Sequence, residues 1–145
     1  MDDVSHIFKY AGVIRRGFSF FVMKKIYTIK KNTVFTRMYT KGKSTVLPSV
    51  VLYTHKNARL ENIHIGITAG KKLGGAVLRN RARRIIREAF RQLLSEHEEL
   101  SSQPYYIVFV ARSKCFKKTT KMQHVKKDIK KGLKTLGLIK DTQEE

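Results

Sequence analysis

The hydrophobic positions between Leu78 and Leu93 predict the helix around which the rest of the chain is organised. Apolar side chains recur there at intervals of three and four residues, which places them on one face of an α-helix. We expect this helix to run from about Ala76 to Leu100 and to bury that face in the core. The positions on the face are Leu78, Ala82, Ile85, Ile86, Ala89, Phe90 and Leu93.

Two further segments have the helical period. One is predicted between Lys30 and Lys41, where Asn32 is a suitable N-cap and Gly42 ends the pattern. The other is predicted from about Thr119 to Leu136. Its apolar face consists of Met122, Val125, Ile129, Leu133 and Leu136. Both helices therefore need an apolar surface to pack against.

Three segments have patterns typical of strands. Ser44 to His55 is rich in β-branched and aromatic residues. Ile63 to Ala69 alternates apolar residues with polar or small ones, as a half-buried strand does. Because these two strands are close in sequence, we expect them to pair as an antiparallel hairpin. Tyr105 to Ala111 is continuously apolar, which is typical of a central strand covered on both faces.

The predicted order of elements is α-β-β-α-β-α, which indicates a single-domain α+β sandwich with one small sheet covered mainly on one face. The chain has 145 residues and is 41% hydrophobic, which is enough to bury a core. We expect the domain to span residues 23–140. Residues 1–22 lack a sustained period and are expected either to form a disordered N-terminal extension or to precede a start of translation at Met23. Residues 141–145 are expected to form a frayed tail.

The charge of the chain indicates its class of partner. A net charge of +20 calls for a polyanion, with nucleic acid as the first candidate and a membrane surface as the second. The longest apolar stretch, Phe18 to Met23, is far shorter than the roughly 18 residues of a membrane span. Cys115 is the only cysteine, which excludes an internal disulfide and indicates a reducing cytoplasm.

Arginine is concentrated on the polar face of the central helix. Between Lys71 and Arg91 there are eight Lys or Arg residues and one acid, Glu88, so pairing along the helix cannot neutralise this face. The cations inside the helix are all Arg, whose planar guanidinium binds phosphate oxygens through two parallel hydrogen bonds. A solvated basic face is the simpler alternative, but these two features favour phosphate binding.

The chain offers little for catalysis by protein side chains. Its eleven acids include no pair within a predicted groove, so a two-metal nuclease site is not expected. His55 and His64 lie on the two strands that are predicted to pair, and they could form an acid–base pair, although exposed strand histidines usually have no catalytic role. Gly74 and Gly75 precede a helix but lack the spacing of a nucleotide-binding loop, and they are better explained by a tight turn.

One run of residues resembles a known family. Lys71-Lys72-Leu73-Gly74 is followed by Ala76-Val77-Leu78-Arg79-Asn80-Arg81 and then by Arg83-Arg84-Ile85-Ile86-Arg87-Glu88. This ordered pattern resembles the signature of the bacterial ribonuclease P protein component, and the resemblance covers about Lys24 to Leu138. It implies a ribosomal-protein-like α+β fold with a left-handed βαβ crossover, in which the first strand can be split.

The resemblance also implies a function. Ribonuclease P removes the 5′ leader from precursor tRNA, and its RNA subunit holds the catalytic Mg²⁺, so the protein alone is expected to hold no cofactor. The implied partners are that RNA and precursor tRNA, with no membrane and no obligate protein partner. The residues implied to contact the catalytic RNA are Lys71, Lys72, Arg79, Asn80, Arg81, Arg83, Arg84 and Arg87. The residues implied to line a leader groove are Phe35, Tyr39, Val51 and Tyr53. From spacing alone, core packing is the favoured role of Phe35 and Tyr39.

Two positions depart from the family pattern, and one other class of protein stays open. His64 stands where a basic residue is expected, and Gly70 replaces a commoner serine. The rival interpretation is a non-catalytic RNA-binding module, such as a ribosomal or assembly protein. That class accounts for the charge and the fold, but not for the ordered pattern from Lys71 to Glu88.

Overall fold

The computed structural model describes residues 26–140. The predictions for residues 1–22 and 141–145 lie outside these described residues. Five strands and three helices follow one another along the described chain, and single 3-10 turns occupy three of the connections. In chain order the elements are β1 (Tyr27–Thr28), α1 (Asn32–Lys41), β2 (Lys43–Val46), β3 (Val50–Lys56), β4 (His64–Thr68), α2 (Ala76–Glu96), β5 (Tyr105–Ala111) and α3 (Met122–Thr135).

The five strands form one mixed sheet in the order β1-β4-β5-β3-β2. The strand β5 is central, as its continuous apolar sequence predicts, and it runs parallel to β4 and antiparallel to β3. At one edge β1 pairs in parallel with β4, and at the other edge β2 forms a hairpin with β3.

Two predictions about the strands are wrong. The expected hairpin between β3 and β4 does not exist, because β5 lies between these strands and pairs with both. The predicted order also lacks β1, which has only two residues and is too short to show a period. The split first strand that the resemblance implies is present as β2 and β3.

The helices α2 and α3 pack together on one face of the sheet and enclose the main core. Phe90 of α2 packs against Phe109 of β5, with ring centroids 5.3 Å apart. The stripe predicted for α2 is confirmed, with Leu78 and Ile85 at its half-buried margin. Its fully buried members are Ala82, Ile86, Ala89, Phe90 and Leu93. Both helices are shorter than predicted, since α2 ends at Glu96 and α3 begins at Met122.

The helix α1 covers the middle of the other face of the sheet. Met38 of α1 and Val108 of β5 are fully buried there, apart from the main core. Ile107 and Phe109 point into the main core, so β5 is covered on both faces, as predicted. Residues on both sides of α1 along the sheet are only half-buried, which leaves sheet surface available to a ligand.

Candidate nucleic-acid interface

A turn that contains glycine connects β4 to the arginine-rich helix α2. Lys71 and Lys72 are exposed in the single turn Lys71–Leu73. A Cβ atom at Gly74 would lie 2.9 Å from Cδ2 of Phe116 and 3.1 Å from Cβ of Leu78. The backbone therefore passes too close to its neighbours for a larger residue. Close packing explains this glycine, in agreement with the tight turn expected from the sequence.

Two of the predicted RNA-binding arginines are held in place by bonds within the protein. Arg79 Nη1 donates a hydrogen bond to the carbonyl of Gly74 (3.0 Å), and Arg83 Nη1 donates one to Oδ1 of Asn80 (3.0 Å). A guanidinium has five N–H donors, so each arginine keeps several for a phosphate. These bonds orient the two side chains before any RNA is bound.

Arg84 and Arg87 are the most available cations of α2. Both are exposed, and neither has a hydrogen bond or an ion pair within residues 26–140. Arg91, one turn further along, differs because it forms an ion pair with Glu88 (2.9 Å). The pair Arg84 and Arg87 therefore offers all its donors to phosphate oxygens.

Arg81 links α2 to the loop that precedes α3. Its two terminal nitrogens donate to the backbone carbonyls of Lys117 (3.3 Å) and Thr120 (3.0 Å), and the side chain is half-buried. The helical period placed Arg81 on the flank of the basic face but gave no sign of this contact, which is distant in sequence. Arg81 therefore positions the loop, and its remaining donors can still reach RNA.

The buried Cys115 near Arg81 is expected to be a poor nucleophile. Burial raises the pKa of its thiol from 9.0 to about 11, although the charge of Arg81 acts in the opposite direction. Because the thiolate is the reacting form, we expect iodoacetamide at pH 8 to modify native Cys115 at least about 100-fold more slowly than the urea-unfolded chain. Mass spectrometry of timed reactions measures both rates, and equal rates would contradict the buried position.

The four residues implied to line a leader groove all lie on the α1 side of the sheet. Tyr39 and Tyr53 meet edge to face, with ring centroids 5.0 Å apart and planes at 78°. Val51 lies two residues before Tyr53, on the same face of β3. Tyr39 is 43% exposed, so the core packing that spacing alone favoured is wrong for this residue. Phe35, one turn before Tyr39 in α1, is half-buried above Gly66 of β4.

A cleft at the edge formed by β1 and β4 brings the two groups of implied residues together. It encloses about 190 Å³ between Phe35 of α1 and Arg87 of α2. Its lining consists of Thr28, Ile29, Phe35, Ile65, Gly66, Ile67 and Arg87. An aromatic ring beside an available guanidinium suits a base and a neighbouring phosphate of single-stranded nucleic acid.

Comparison with known proteins identifies the family. The sequence model of the family described as Ribonuclease P matches residues 23–137. The chain belongs to this family. The ribonuclease P protein component of Macrococcus caseolyticus is 39% identical over 115 residues, which cover 76% of this chain and 95% of that protein. The ribonuclease P protein component of Staphylococcus aureus is 48% identical over 69 residues, which cover 48% of this chain and 60% of that protein.

The fold agrees with that of solved ribonuclease P proteins. The structure of the Staphylococcus aureus ribonuclease P protein at 2.0 Å superimposes with a TM-score of 0.65 and 32% identity, over 79% of this chain and 98% of that one. The family membership that the pattern of residues 71–88 predicts is therefore confirmed. The chain is a protein subunit of ribonuclease P, the endoribonuclease holoenzyme that removes the 5′ leader of precursor tRNA.

The two strand histidines of this ribonuclease P protein, His55 and His64, lie apart from each other. The acid–base pair that the sequence allows but disfavours for His55 and His64 does not form, because β5 separates these residues and both stand opposite Tyr106. Two strand spacings, about 10 Å, are too far for direct proton transfer between them. Among residues 26–140 no group of three His, Cys, Asp or Glu side chains could hold a metal ion. Within the same range, no helix is both long and apolar enough to cross a membrane.

Proposed function

We propose that this protein clamps the RNA subunit of ribonuclease P with the arginine face of α2 and holds the 5′ leader of precursor tRNA beside α1. The observation that carries this proposal is the cleft shared by Phe35 and Arg87. A leader varies in sequence, so its binding site needs contacts that accept any base. Aromatic stacking and phosphate binding are contacts of this kind.

The residues fall into two groups by role. The contacts to the catalytic RNA are assigned to Lys71, Lys72, Arg79, Asn80, Arg81, Arg83, Arg84 and Arg87. The contacts to the leader are assigned to Phe35, Tyr39, Val51 and Tyr53. Arg87 lies where the two groups meet, because it lines the cleft with Phe35. The protein thereby holds the substrate against the catalytic RNA near their junction.

The chemistry of cleavage is assigned to the RNA subunit. That subunit holds the catalytic Mg²⁺, and the protein supplies positive charge, which lowers the repulsion between the two RNAs. The partners are the ribonuclease P RNA and precursor tRNA, in the cytoplasm, with no obligate protein partner. Residues 23–140 are assigned to one domain, whose βαβ unit from β4 to β5 has the left-handed crossover and ribosomal-protein-like architecture that the family implies.

The test of this function is a cleavage assay with the RNA subunit and precursor tRNA at decreasing Mg²⁺ concentration. We expect the protein to maintain cleavage at Mg²⁺ concentrations where the RNA alone has lost it, because protein cations replace part of the screening by Mg²⁺. We also expect the holoenzyme to bind precursor tRNA more tightly than mature tRNA, by roughly 1–3 kcal/mol for each stacked leader base.

The same assay separates the proposal from the rival class. A ribosomal or assembly protein would bind the RNA subunit without lowering the Mg²⁺ requirement and without preferring the precursor. Either of these results, obtained at a protein concentration that saturates the RNA, would contradict the proposed function.

A further inference from the structure

A row of rings crosses the sheet on the face that carries α1. The strand register places His64 opposite both Tyr27 and Tyr106, and it places His55 opposite Tyr106 on the other side. Residues that pair directly across strands point to the same face. The row therefore runs from β1 through β4 and β5 to β3, and it is not visible in the sequence, where its members are scattered.

Three of the rings contact one another, and all four keep part of their surface exposed. Tyr27 stacks on His64 with centroids 5.2 Å apart and planes at 30°, and His64 meets Tyr106 at 6.0 Å and 69°. The Nδ1 atom of His64 lies 3.0 Å from the carbonyl of Asn62, which fixes the orientation of the ring. All four residues of the row are half-buried. They lie apart from the core, into which Ile65 and Ile107 point from the same strands.

The row lies beside α1 and next to the cleft that Phe35 and Arg87 line. The helix crosses the sheet along the adjacent row, where Phe35 stands over Gly66 and Tyr39 meets Tyr53. The two rows are separated by two residues along each strand, or about 7 Å. Gly66, which also lines the cleft, lies two residues after His64 and therefore on the same face of β4. Cleft and row therefore form one continuous surface.

The position of the row decides which part of a bound strand reaches it. β4 begins at His64 and ends at Thr68, and the chain then continues to Lys71, Lys72 and the arginine face. The row therefore lies at the end of the sheet away from the cations assigned to the catalytic RNA. A single strand that leaves the catalytic RNA passes the cleft first and the row afterwards.

We propose that Tyr27, His64 and Tyr106 form a second stacking site, which binds a leader base upstream of the base held at Phe35. This inference rests on the proposed function, because it extends the same leader path. Rings stack on every base and so tolerate any leader sequence. The hydroxyl of Tyr106 and Nε2 of His64 can also bond to a base edge or to the ribose. The net charge of +20 favours a polyanion over an apolar protein partner at this surface.

The experiment compares long and short leaders on the reconstituted holoenzyme. Two precursor tRNAs are compared, one with a leader of about 4 nucleotides and one with a leader of about 16 nucleotides. These lengths are the limits of the site sizes of single-strand-binding folds. We expect Tyr106→Val and His64→Val to reduce the ratio of long-leader to short-leader affinity on the order of tenfold. Valine removes the ring and keeps a high strand propensity. The matched control is Tyr105→Val, which removes a ring from the opposite face of β5 and should leave the ratio unchanged.

A cross-linking measurement tests the site without any substitution. A 5-iodouridine placed upstream in the long leader should, under ultraviolet light, cross-link to the peptides that contain Tyr27 or Tyr106. Cross-links confined to Tyr39 and Tyr53, with an unchanged affinity ratio in the valine variants, would overturn the second site. The rings would then only hold β1 against β4. If Phe35→Ala also left leader affinity unchanged, the proposed leader groove itself would fail, so the two failures are distinguishable.

Discussion

Replacing Arg84 and Arg87 together by alanine is expected to weaken binding to the ribonuclease P RNA about 100-fold or more, because each guanidinium–phosphate contact contributes roughly 1.5–3 kcal/mol. The slope of log affinity against log salt concentration should become shallower by about two units, because two fewer phosphates release their counterions. These two side chains are exposed and unbonded within the described chain, so their removal leaves the fold intact. Filter binding across a salt series measures both quantities.

The control for this prediction is the double variant Lys127→Ala and Lys131→Ala. It removes the same formal charge from another exposed helix face, that of α3. We expect the slope of its log affinity against log salt concentration to change by less than about half a unit. Nonspecific attraction of RNA depends only weakly on two charges that lie far from the binding surface. Equal effects of the two double variants would mean that RNA responds to net charge alone, and the arginine face would then not be the binding surface.

The helices could be predicted from the sequence because their hydrophobic period is sustained over several turns. Their apolar and polar residues also lie on separate faces. The stripe of α2 recurs over four turns, so small errors at its ends do not change which face is buried. The end of α2 was predicted too late because Leu100 is apolar and buried, yet it belongs to a separate turn, Glu98–Ser102. The signature from Lys71 to Glu88 identified the family because it combines several residue types at fixed distances.

The pairing of the strands could not be predicted in the same way. Proximity in sequence favours a hairpin between β3 and β4, but both faces of β5 are apolar and can be covered only in the middle of the sheet. This requirement places β5 between the other two strands. The features that depend on this strand order could therefore not be predicted either. They include the separation of His55 from His64 and the stacking of Tyr27 on His64.

The roles of individual site residues were also only partly visible. A helical wheel distinguishes Arg84 and Arg87 from the buried stripe, but it cannot show that Arg81 bonds to the loop at Thr120. The cleft that Phe35 and Arg87 both line depends on β4, which lies between their helices. Sequence therefore predicts the residue types of the candidate site, and the fold determines which of them lie close together.

Replacing Gly66 by alanine is expected to disturb the leader site through Phe35. A Cβ atom at this position would lie 2.5 Å from Cζ and 2.6 Å from Cε1 of Phe35, so the ring has to leave its place. Glycine within a strand is ordinarily less stable than alanine by roughly 0.5–1 kcal/mol, so close packing is the reason for it here. We expect precursor affinity to fall by roughly 1–3 kcal/mol, the contribution of one stacked base, with little change in affinity for the catalytic RNA.

The matched control is Gly70→Ala, because no atom lies within 4 Å of a Cβ built there. We expect this variant to bind precursor tRNA as the wild type does. A double-mutant cycle then tests the mechanism, since neighbouring residues that act through one contact are not additive. Once Phe35→Ala has removed the ring, Gly66→Ala has nothing to displace, so the double variant should bind the precursor as weakly as Phe35→Ala alone. Additive losses would instead show that Gly66 acts through the backbone of β4, and the ring above it would not be the contact that holds the leader.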